Sequence, residues 1–469
     1  MSEAITVFTG GLVVLPDRDP AVCDIVTRGG KIVGLGAYDA SKAQVERVDL
    51  AGLAVLPGLV DPHLHLGHGK DISYPRVPED AAQETAAAAI GGVTCFVPYL
   101  MSTEPFDAVF DKVRAVTEAG SRIDFGYHFV ISTEVQLSGV PDYATRYGVP
   151  SFKIFMNNRG GEGARLGLPD IDDGFLFRLC EAAAASNGVV CPHPETIEIA
   201  WVLRSREKAR DPEGKGGLKT WNASRPDFVE ADAVQRSAYI ARVTGSRIHI
   251  VHTSSAAALE AGLMQRGAGA AITIETCPHY LTHDEEWGNG NVGKINPPLR
   301  SRKDCDALWH GIAAAHVDII GTDHIHRDVT SKAGSVWDAS PGCPGLETML
   351  PVMLTEGHHK RGIPLKRIAA LTATNAANTM GLSHAKGAIA VGRDADFAVV
   401  DLNAEWVLDA SCLRSSAGYS LYEGTAFKGR VVHTIVRGGF VMRDRQLIDA
   451  AVGTGRYMPR RLGSMVASG

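Results

Sequence analysis

This sequence of 469 residues lacks several features that define particular protein classes. Its eight cysteines are scattered and form no CxxC pair, which excludes a dense disulfide framework and predicts reduced, mostly buried thiols. No stretch approaches the roughly 18 uninterrupted apolar residues of a transmembrane helix. The N-terminus has no basic segment ahead of its short apolar runs, as a secretory signal would require. We therefore expect a cytoplasmic protein without a membrane partner.

Charge of either sign is also modest. Charged residues make up 21% of the chain, the net charge is -6, and no block of Lys or Arg stands out. The basic footprint of a nucleic-acid-binding protein is therefore missing. Apolar residues make up 45%, which is near the average for soluble globular proteins and allows a large core. The expected ligand is a small molecule.

The middle of the chain alternates buried strands with Ala-rich or amphipathic helices, a pattern typical of βα units and a parallel sheet. Helices are predicted over residues 81–90, 106–119, 174–187, 229–244 and 255–266. No Gly-x-Gly-x-x-Gly motif follows the first strand to indicate a dinucleotide-binding fold. Eight units in about 330 residues favour a (β/α)8 barrel over an open doubly wound sheet. The predicted strands cover residues 56–60, 94–99, 125–131, 152–155, 189–191, 248–251, 271–275 and 319–321.

The two ends of the chain have a different sequence pattern. Short Val, Ile and Leu runs surround Gly and Asp turns within the first 55 residues, and a similar pattern returns at 387–401 and 431–442. We predict that the ends pair into one small β-sandwich domain, made of residues 1–55 and 386–450, beside a barrel of residues 56–385. Residues 451–469 are rich in Gly, Arg and Ser, so we predict a C-terminal tail on the surface.

Potential metal ligands follow several predicted barrel strands. His63 and His65 come directly after the first strand, and residues two apart in extended chain point the same way. His193 follows the fifth strand, His252 the sixth, and Asp323 ends the eighth. Each alone fits a structural role as well as a ligand. Because the C-terminal strand ends of a barrel form one rim, where active sites assemble, the set together predicts a metal site.

Lys153 lies in the fourth predicted strand, within the apolar segment SFKIFM. A charged ammonium is unfavourable in such a setting, and burial favours the neutral amine. A neutral amine can take up CO2 to form a carbamate, an anionic oxygen ligand able to bridge two cations. From this residue alone, the simpler interpretation of a lysine that reaches solvent or pairs with a carboxylate is favoured.

Longer motifs resemble those of the cyclic amidohydrolases. The resemblance is strongest to hydantoinase and dihydropyrimidinase, and allantoinase and dihydroorotase are related members of the same family. The resemblance runs from GLVDPHLH at 58–65 to GAIAVGRDAD at 387–396 and includes ETCPHYL at 275–281 and NPPLR at 296–300. It implies two divalent metal ions, most simply zinc, with Mn or Fe fitting the same ligands. By this resemblance a carbamate on Lys153 bridges the two metals. The metal ligands it implies are His63, His65 and Asp323 for one ion and His193 and His252 for the other.

The resemblance also implies a reaction, the hydrolytic opening of a cyclic amide, ureide or imide. A hydroxide shared by the metals attacks the carbonyl, and Asp323 serves as general base and then general acid. Members of this family usually form dimers or tetramers, so the resemblance implies a homodimer or homotetramer. Alternatives are an allantoinase-like or dihydroorotase-like activity, a noncatalytic dihydropyrimidinase-related scaffold and a one-metal deaminase. The complete ligand set favours an enzyme, and the bridging lysine disfavours a deaminase.

Departures from the hydantoinase pattern concern the substrate. Asn158 stands where hydantoinases carry a tyrosine that stabilises the oxyanion, and Asn296 stands where they carry serine. The dihydroorotase arginine expected just after the paired histidines is missing, which disfavours an orotate-type ring. Arg327 could meet an acidic or polar substituent, although a solvated loop arginine fits equally. The identity of the ring stays open, and substrate contacts are predicted at Asn158, Asn296, Arg327 and Gly342.

Overall fold

The computed structural model describes residues 4–38 and 45–463. At its centre lies a curled sheet whose neighbouring strands pair in parallel and in chain order. The short strand His324–Ile325, just beyond the last of them, pairs with Leu64 and His65 of the first, which closes the sheet. The predicted (β/α)8 barrel is confirmed. We number its strands β1 (Leu59–His65), β2 (Val93–Leu100), β3 (His128–Val130), β4 (Ser151–Phe155), β5 (Val189–His193), β6 (Arg247–Ile250), β7 (Ile272–Thr276) and β8 (Ile319–Ile320).

Helices follow the barrel strands, and each of the predicted helices is present. Several begin at a side chain that caps the first turn: Asp172 accepts a hydrogen bond from the Phe175 N–H at 2.8 Å, and Ser255 accepts one from the Ala258 N–H at 3.2 Å. In the described part of the chain, no helix is long and apolar enough to cross a membrane. The α-helices are Pro78–Ile90, Phe106–Gly120, Glu134–Ser138, Val140–Arg146, Asp173–Ala185, Ile197–Arg210, Gly217–Ser224, Asp227–Thr244, Ala256–Gly267, Pro278–Thr282, Arg302–Ala313, Met349–Val352, Leu365–Ala369 and Asn375–Thr379.

Two further sheets, built from both ends of the chain, enclose a second apolar core that includes Phe8, Val55 and Phe397. The N- and C-terminal segments pair directly, because Ala54–Pro57 runs antiparallel to the start of Phe397–Val407. The predicted β-sandwich is thus confirmed, whereas its exact boundaries stay a prediction. One sheet contains Ile5–Thr9, Ile25–Arg28, Lys31–Leu35 and Val45–Asp49, and the other contains Leu12–Val13, Ala21–Val22, Ala54–Pro57, Phe397–Val407, Ala426–Val436, Gly439–Arg443 and Gln446–Leu447.

Two predicted features differ in the structure. The first barrel strand begins at Leu59 and not at residue 56, because residues 54–57 belong to the sandwich. The segment after residue 450 does not form a surface arm over its described part. Arg460 is fully buried, and its guanidinium donates hydrogen bonds to Ser151 Oγ at 2.7 Å and to the Tyr127 carbonyl. The segment docks through a few long side chains, which leave no periodic pattern in the sequence.

Candidate active site

A cavity of about 570 Å³, measured with its open mouth, lies at the C-terminal ends of the barrel strands. Parallel strands of a barrel present these ends at one rim, so ligands carried by different strands meet there. All of the predicted metal ligands are buried, and all line this cavity. The residues brought together in this way are His63, His65, Lys153, His193, His252 and Asp323.

The two histidines of β1 face Asp323. The Nε2 atoms of His63 and His65 lie 3.1 and 3.7 Å from Asp323 Oδ1. Nδ1 of His63 lies 2.5 Å from Glu275 Oε1, which fixes the imidazole proton on Nδ1. In the neutral imidazole the lone pair therefore lies on Nε2, and this buried atom has no hydrogen-bond partner in the described chain. These three side chains can hold one divalent cation.

The histidines after β5 and β6 form a second pair. Nδ1 of His193 lies 2.8 Å from Nε2 of His252. Nε2 of His193 lies 2.8 Å from Glu195 Oε2, which places the His193 proton on Nε2 and leaves a lone pair on Nδ1. Two imidazole nitrogens at this distance need a proton or a metal cation between them. Burial lowers the pKa of both imidazoles, so both are neutral, and a metal cation can replace the proton between them.

Lys153 lies between these two groups, with an exposed fraction of 1%. Its Nζ is 4.5 Å from the centroid of the Tyr99 ring and 5.4 Å from that of Phe155, and no ion pair with a carboxylate forms within residues 4–38 and 45–463. The simpler interpretation of a lysine that reaches solvent or pairs with a carboxylate therefore does not fit. Burial lowers the pKa of Lys153 to about 8, so the neutral amine is accessible near neutral pH.

The charge balance around the first group favours a cation. Burial alone would lower the pKa of His63, but the carboxylates of Glu275 and Asp323 outweigh it and raise that pKa to about 9. Burial alone would raise the pKa of Asp323, but His63 counteracts it and holds that pKa at about 2. Burial lowers the pKa of His65 to about 3, so this imidazole is neutral. The two carboxylates thus stabilise positive charge at His63, and a bound metal cation would supply that charge in place of the imidazole proton.

Two of these residues have strained backbone. His252 and Asp323 have φ values of +39° and +47°, in the left-handed region that non-glycine residues rarely adopt. Hydrogen bonds hold both turns: the His252 N–H donates to Glu275 Oε1 at 3.0 Å, and the Thr322 N–H donates to Asp61 Oδ1 at 3.1 Å. Such strain concentrates at functional sites, and here it directs both side chains inward.

The predicted substrate contacts fall in two groups. Asn296, Arg327 and Gly342 line the cavity. Asn158 does not line the cavity, because the turn after β4 buries its side chain against Gly163. The contact is so close that a Cβ added at Gly163 would lie 2.9 Å from the Asn158 amide carbon. The preceding Asn157 lines the cavity instead, and its Oδ1 has no hydrogen-bond partner in the described chain. The sequence located the correct turn but not the residue that faces inward.

Sequence reasoning did not assign several residues that complete the site. Glu275 joins three elements, because it also accepts a hydrogen bond from His249 Nε2 at 3.1 Å. Glu195 accepts one from Arg225 Nη1 at 2.7 Å, which orients it toward His193. Arg165, on a loop that follows β4, lines the mouth. A usable signal existed for Glu275, since a carboxylate inside the apolar strand ITIET must have buried partners.

Comparison with known proteins finds relatives that match most of this chain. The amidohydrolase family model matches residues 242–441. An allantoinase from Deinococcus radiodurans is 36% identical over 442 residues, which cover 92% of this chain and 93% of that protein. Among solved structures, a D-hydantoinase from a Bacillus species superposes with a TM-score of 0.89 at 26% identity, covering 98% of this chain and 100% of that one. The L-hydantoinase from Arthrobacter aurescens gives a TM-score of 0.88 at 28% identity, with the same coverage. The chain therefore belongs to the cyclic amidohydrolases of the amidohydrolase superfamily.

Proposed function

We propose that this protein opens a cyclic ureide or related cyclic amide by hydrolysing a C(=O)–N bond with the help of two divalent metal ions. The observation that carries the proposal is the convergence of two histidine groups with a buried lysine between them. His63, His65 and Asp323 would hold one metal, and His193 and His252 the other. Imidazole and carboxylate ligands suit zinc best, and Mn or Fe would fit the same set.

Lys153 would bridge the two metals as a carbamate. Three observations support this role: the amine is buried, it lacks an ion-pair partner in the described chain, and burial lowers its pKa to about 8. An amine with a pKa of about 8 is neutral about 10% of the time at pH 7, and this neutral form can react with CO2. The carbamate is anionic, so it would also offset the charge of two metal cations. When bound, the metals would lower the pKa of a water molecule toward neutrality and polarise the scissile carbonyl.

The chain itself would supply proton transfer and orientation. Asp323 is ionised at neutral pH, because its pKa is held at about 2, and it would accept the proton of the attacking water. The same carboxyl would then pass this proton to the leaving ring nitrogen, acting as general base and then general acid. Glu275 and Glu195 would keep His63 and His193 in the tautomers that leave a lone pair for the metal.

The ring would be recognised by two amides. Asn157 and Asn296 both line the cavity, and the Oδ1 atom of each lacks a hydrogen-bond partner in the described chain. A primary amide offers one donor group and one acceptor, which matches the adjacent C=O and N–H of an amide or ureide ring. A substrate that leaves these atoms without partners would lose binding free energy. This complementarity favours a ring with N–H groups.

Among cyclic ureides, a ring that carries a polar substituent, as allantoin does, has specific support. The allantoinase relative is 36% identical, whereas the superposed hydantoinases are 26% and 28% identical. The position at which hydantoinases carry an oxyanion-stabilising tyrosine holds Asn158 here, and that side chain is buried away from the cavity. Unsubstituted hydantoin and dihydrouracil would therefore be opened less efficiently than rings with a polar substituent.

The test is a panel assay on protein produced with zinc and bicarbonate. Bound metal is measured first, and ring opening is then followed for allantoin, hydantoin, dihydrouracil, dihydroorotate and a cyclic imide. We expect about two metal equivalents per chain and ring opening of at least one ureide. Less than one metal equivalent with no turnover would favour a noncatalytic scaffold, and ammonia release without ring opening would favour a deaminase. The Asp323→Asn variant is the control for contaminating activity.

We also propose a homodimer or homotetramer located in the cytoplasm. All eight cysteines are free in the structure, and six of them are buried, which suits a reducing compartment. Light scattering coupled to size-exclusion chromatography measures the subunit number directly. A monomer at micromolar concentration would contradict the proposed assembly.

A further inference from the structure

The mouth of the cavity carries positive charge that the hydrolytic mechanism does not use. Arg165 and Arg327 both line it. Neither forms an ion pair with a carboxylate within the described ranges, and Arg327 makes one hydrogen bond there, from Nε to the Lys70 carbonyl at 3.0 Å. The Nη atoms of Arg327 are therefore available. Because both guanidinium groups line the same mouth, the charge of Arg165 adds to burial in lowering the pKa of Arg327.

Two buried lysines lie next to Gly342, which lines the cavity. Lys294 donates a hydrogen bond to the Ala339 carbonyl at 2.5 Å, and Lys332 donates to the carbonyls of Lys294 and Ser340 at 2.9 and 3.0 Å. Neither has an ion-pair partner in the described part of the chain. Burial lowers the pKa of Lys294 to about 7, with further contributions from the charges of Arg165 and Lys332. An anion entering here would be attracted by both lysines.

Arginines just outside the mouth are, by contrast, neutralised. Arg159 pairs with Asp173 and Glu198, both at 2.6 Å, and Arg204 pairs with Glu162. Among the residues that line the cavity, Asp323 is the single carboxylate, and it lies at the metal end. The excess of positive charge at the mouth is therefore a local property of the cavity. An unpaired, partly buried guanidinium lowers stability unless an anion binds to it.

We infer that the ring opened by this enzyme bears a carboxylate substituent, which Arg327 binds through its planar guanidinium while Arg165 closes on it from the loop after β4. Arginine matches a carboxylate with two parallel hydrogen bonds. This inference rests on the proposed function and specifies its substrate class. The carboxylate lies on the side of the ring that faces the mouth, and the scissile bond faces His63 and Lys153.

A second source of a carboxylate must be distinguished from this one. Hydrolysis of the C(=O)–N bond converts the ring carbonyl into a carboxylate, and this product group forms for every substrate, neutral or acidic. If Arg327 served the product carboxylate, its removal would slow neutral and acidic rings equally. If it binds a substituent, its removal slows the acidic ring alone. Matched pairs of substrates therefore separate the two roles.

The experiment compares the acid and the amide of the same ring, namely dihydroorotate with its carboxamide and hydantoin-5-acetate with its carboxamide. Each pair differs by one charge. We expect the wild type to have a kcat/KM at least about tenfold higher for the acid, since hydrogen bonds to charged groups contribute that much. Arg327→Gln should lower kcat/KM for the acid by about 10- to 100-fold, mainly through KM, and change the value for the amide by less than about threefold.

Two further variants keep the test decisive. Arg165→Gln probes the same charge on an exposed loop residue, so it can be used if Arg327→Gln does not fold. Arg178→Gln is the matched control, because this exposed arginine pairs with Glu134 on the outer helices and should leave both rates unchanged. Faster opening of allantoin or of the amides than of the acids would overturn the inference, as would equal slowing of acid and amide. If the wild type opens no ring at all, the proposed hydrolase function itself fails.

Discussion

The sharpest test of the metal centre is to replace Glu275 with glutamine. This carboxylate is fully buried and accepts hydrogen bonds from His63 Nδ1 at 2.5 Å, the His252 N–H at 3.0 Å and His249 Nε2 at 3.1 Å. Burial alone would raise the pKa of Glu275, but His63 and His249 hold it well below its usual range. The variant keeps the shape but removes the charge that fixes the His63 tautomer. It therefore acts on two proposed metal ligands, His63 and His252, that it does not replace.

Loss of such a partner typically weakens metal binding by about 10- to 100-fold, or about 1.4 to 2.8 kcal/mol. The assay titrates a chelator against metal-loaded protein and measures the metal retained, together with ring-opening activity. Asp124→Asn is the matched control, because Asp124 is a buried carboxylate that binds Lys386 at 2.5 Å beneath the start of β3, far from the cavity. If Glu275→Gln lost stability like the control but kept wild-type metal affinity, the proposed role of Glu275 would be refuted.

Other predictions concern the bridge, the stability of the fold and its pH dependence. Lys153→Ala should lose nearly all ring-opening activity, and short carboxylic acids should restore part of it by replacing the carbamate; full activity without them would exclude the bridging role. Arg460→Ala should lower the free energy of unfolding by about 3 kcal/mol or more, measured with denaturant, because it leaves a cavity and buried acceptors without partners, whereas the exposed neighbour Arg461→Ala should cost under about 0.5 kcal/mol. Burial raises the pKa of Glu347 to about 7. Between a pH of about 4.5 and 7 the folded state therefore keeps a proton that the unfolded state has lost, and the contribution of Glu347 to stability falls as the pH rises. Glu347→Gln should abolish this fall, so its advantage over the wild type should grow by up to about 3 kcal/mol across that window; a constant difference would argue against the raised pKa.

Local sequence patterns predicted the barrel well because each βα unit carries its own signal. The strands Val93–Leu100 and Ser151–Phe155 are continuous apolar runs, as expected for strands buried on both faces. Helices such as Asp227–Thr244 begin and end close to the predicted bounds. The first barrel strand was predicted to begin too early, at residue 56, because the choice between barrel and sandwich for Ala54–Pro57 depends on pairing with residues more than 300 positions away.

The sequence by itself determined the alternation of strands and helices and the six polar residues at the strand ends that form the candidate metal site. Those positions follow from strand periodicity and from the rule that parallel strands share one rim. Only the tertiary structure decided that Asn157 and not Asn158 faces the cavity, that Glu275 links His63 to His252, and that Arg165 joins Arg327 at the mouth. These contacts join residues far apart in the chain, and no local pattern encodes which side of a turn faces inward.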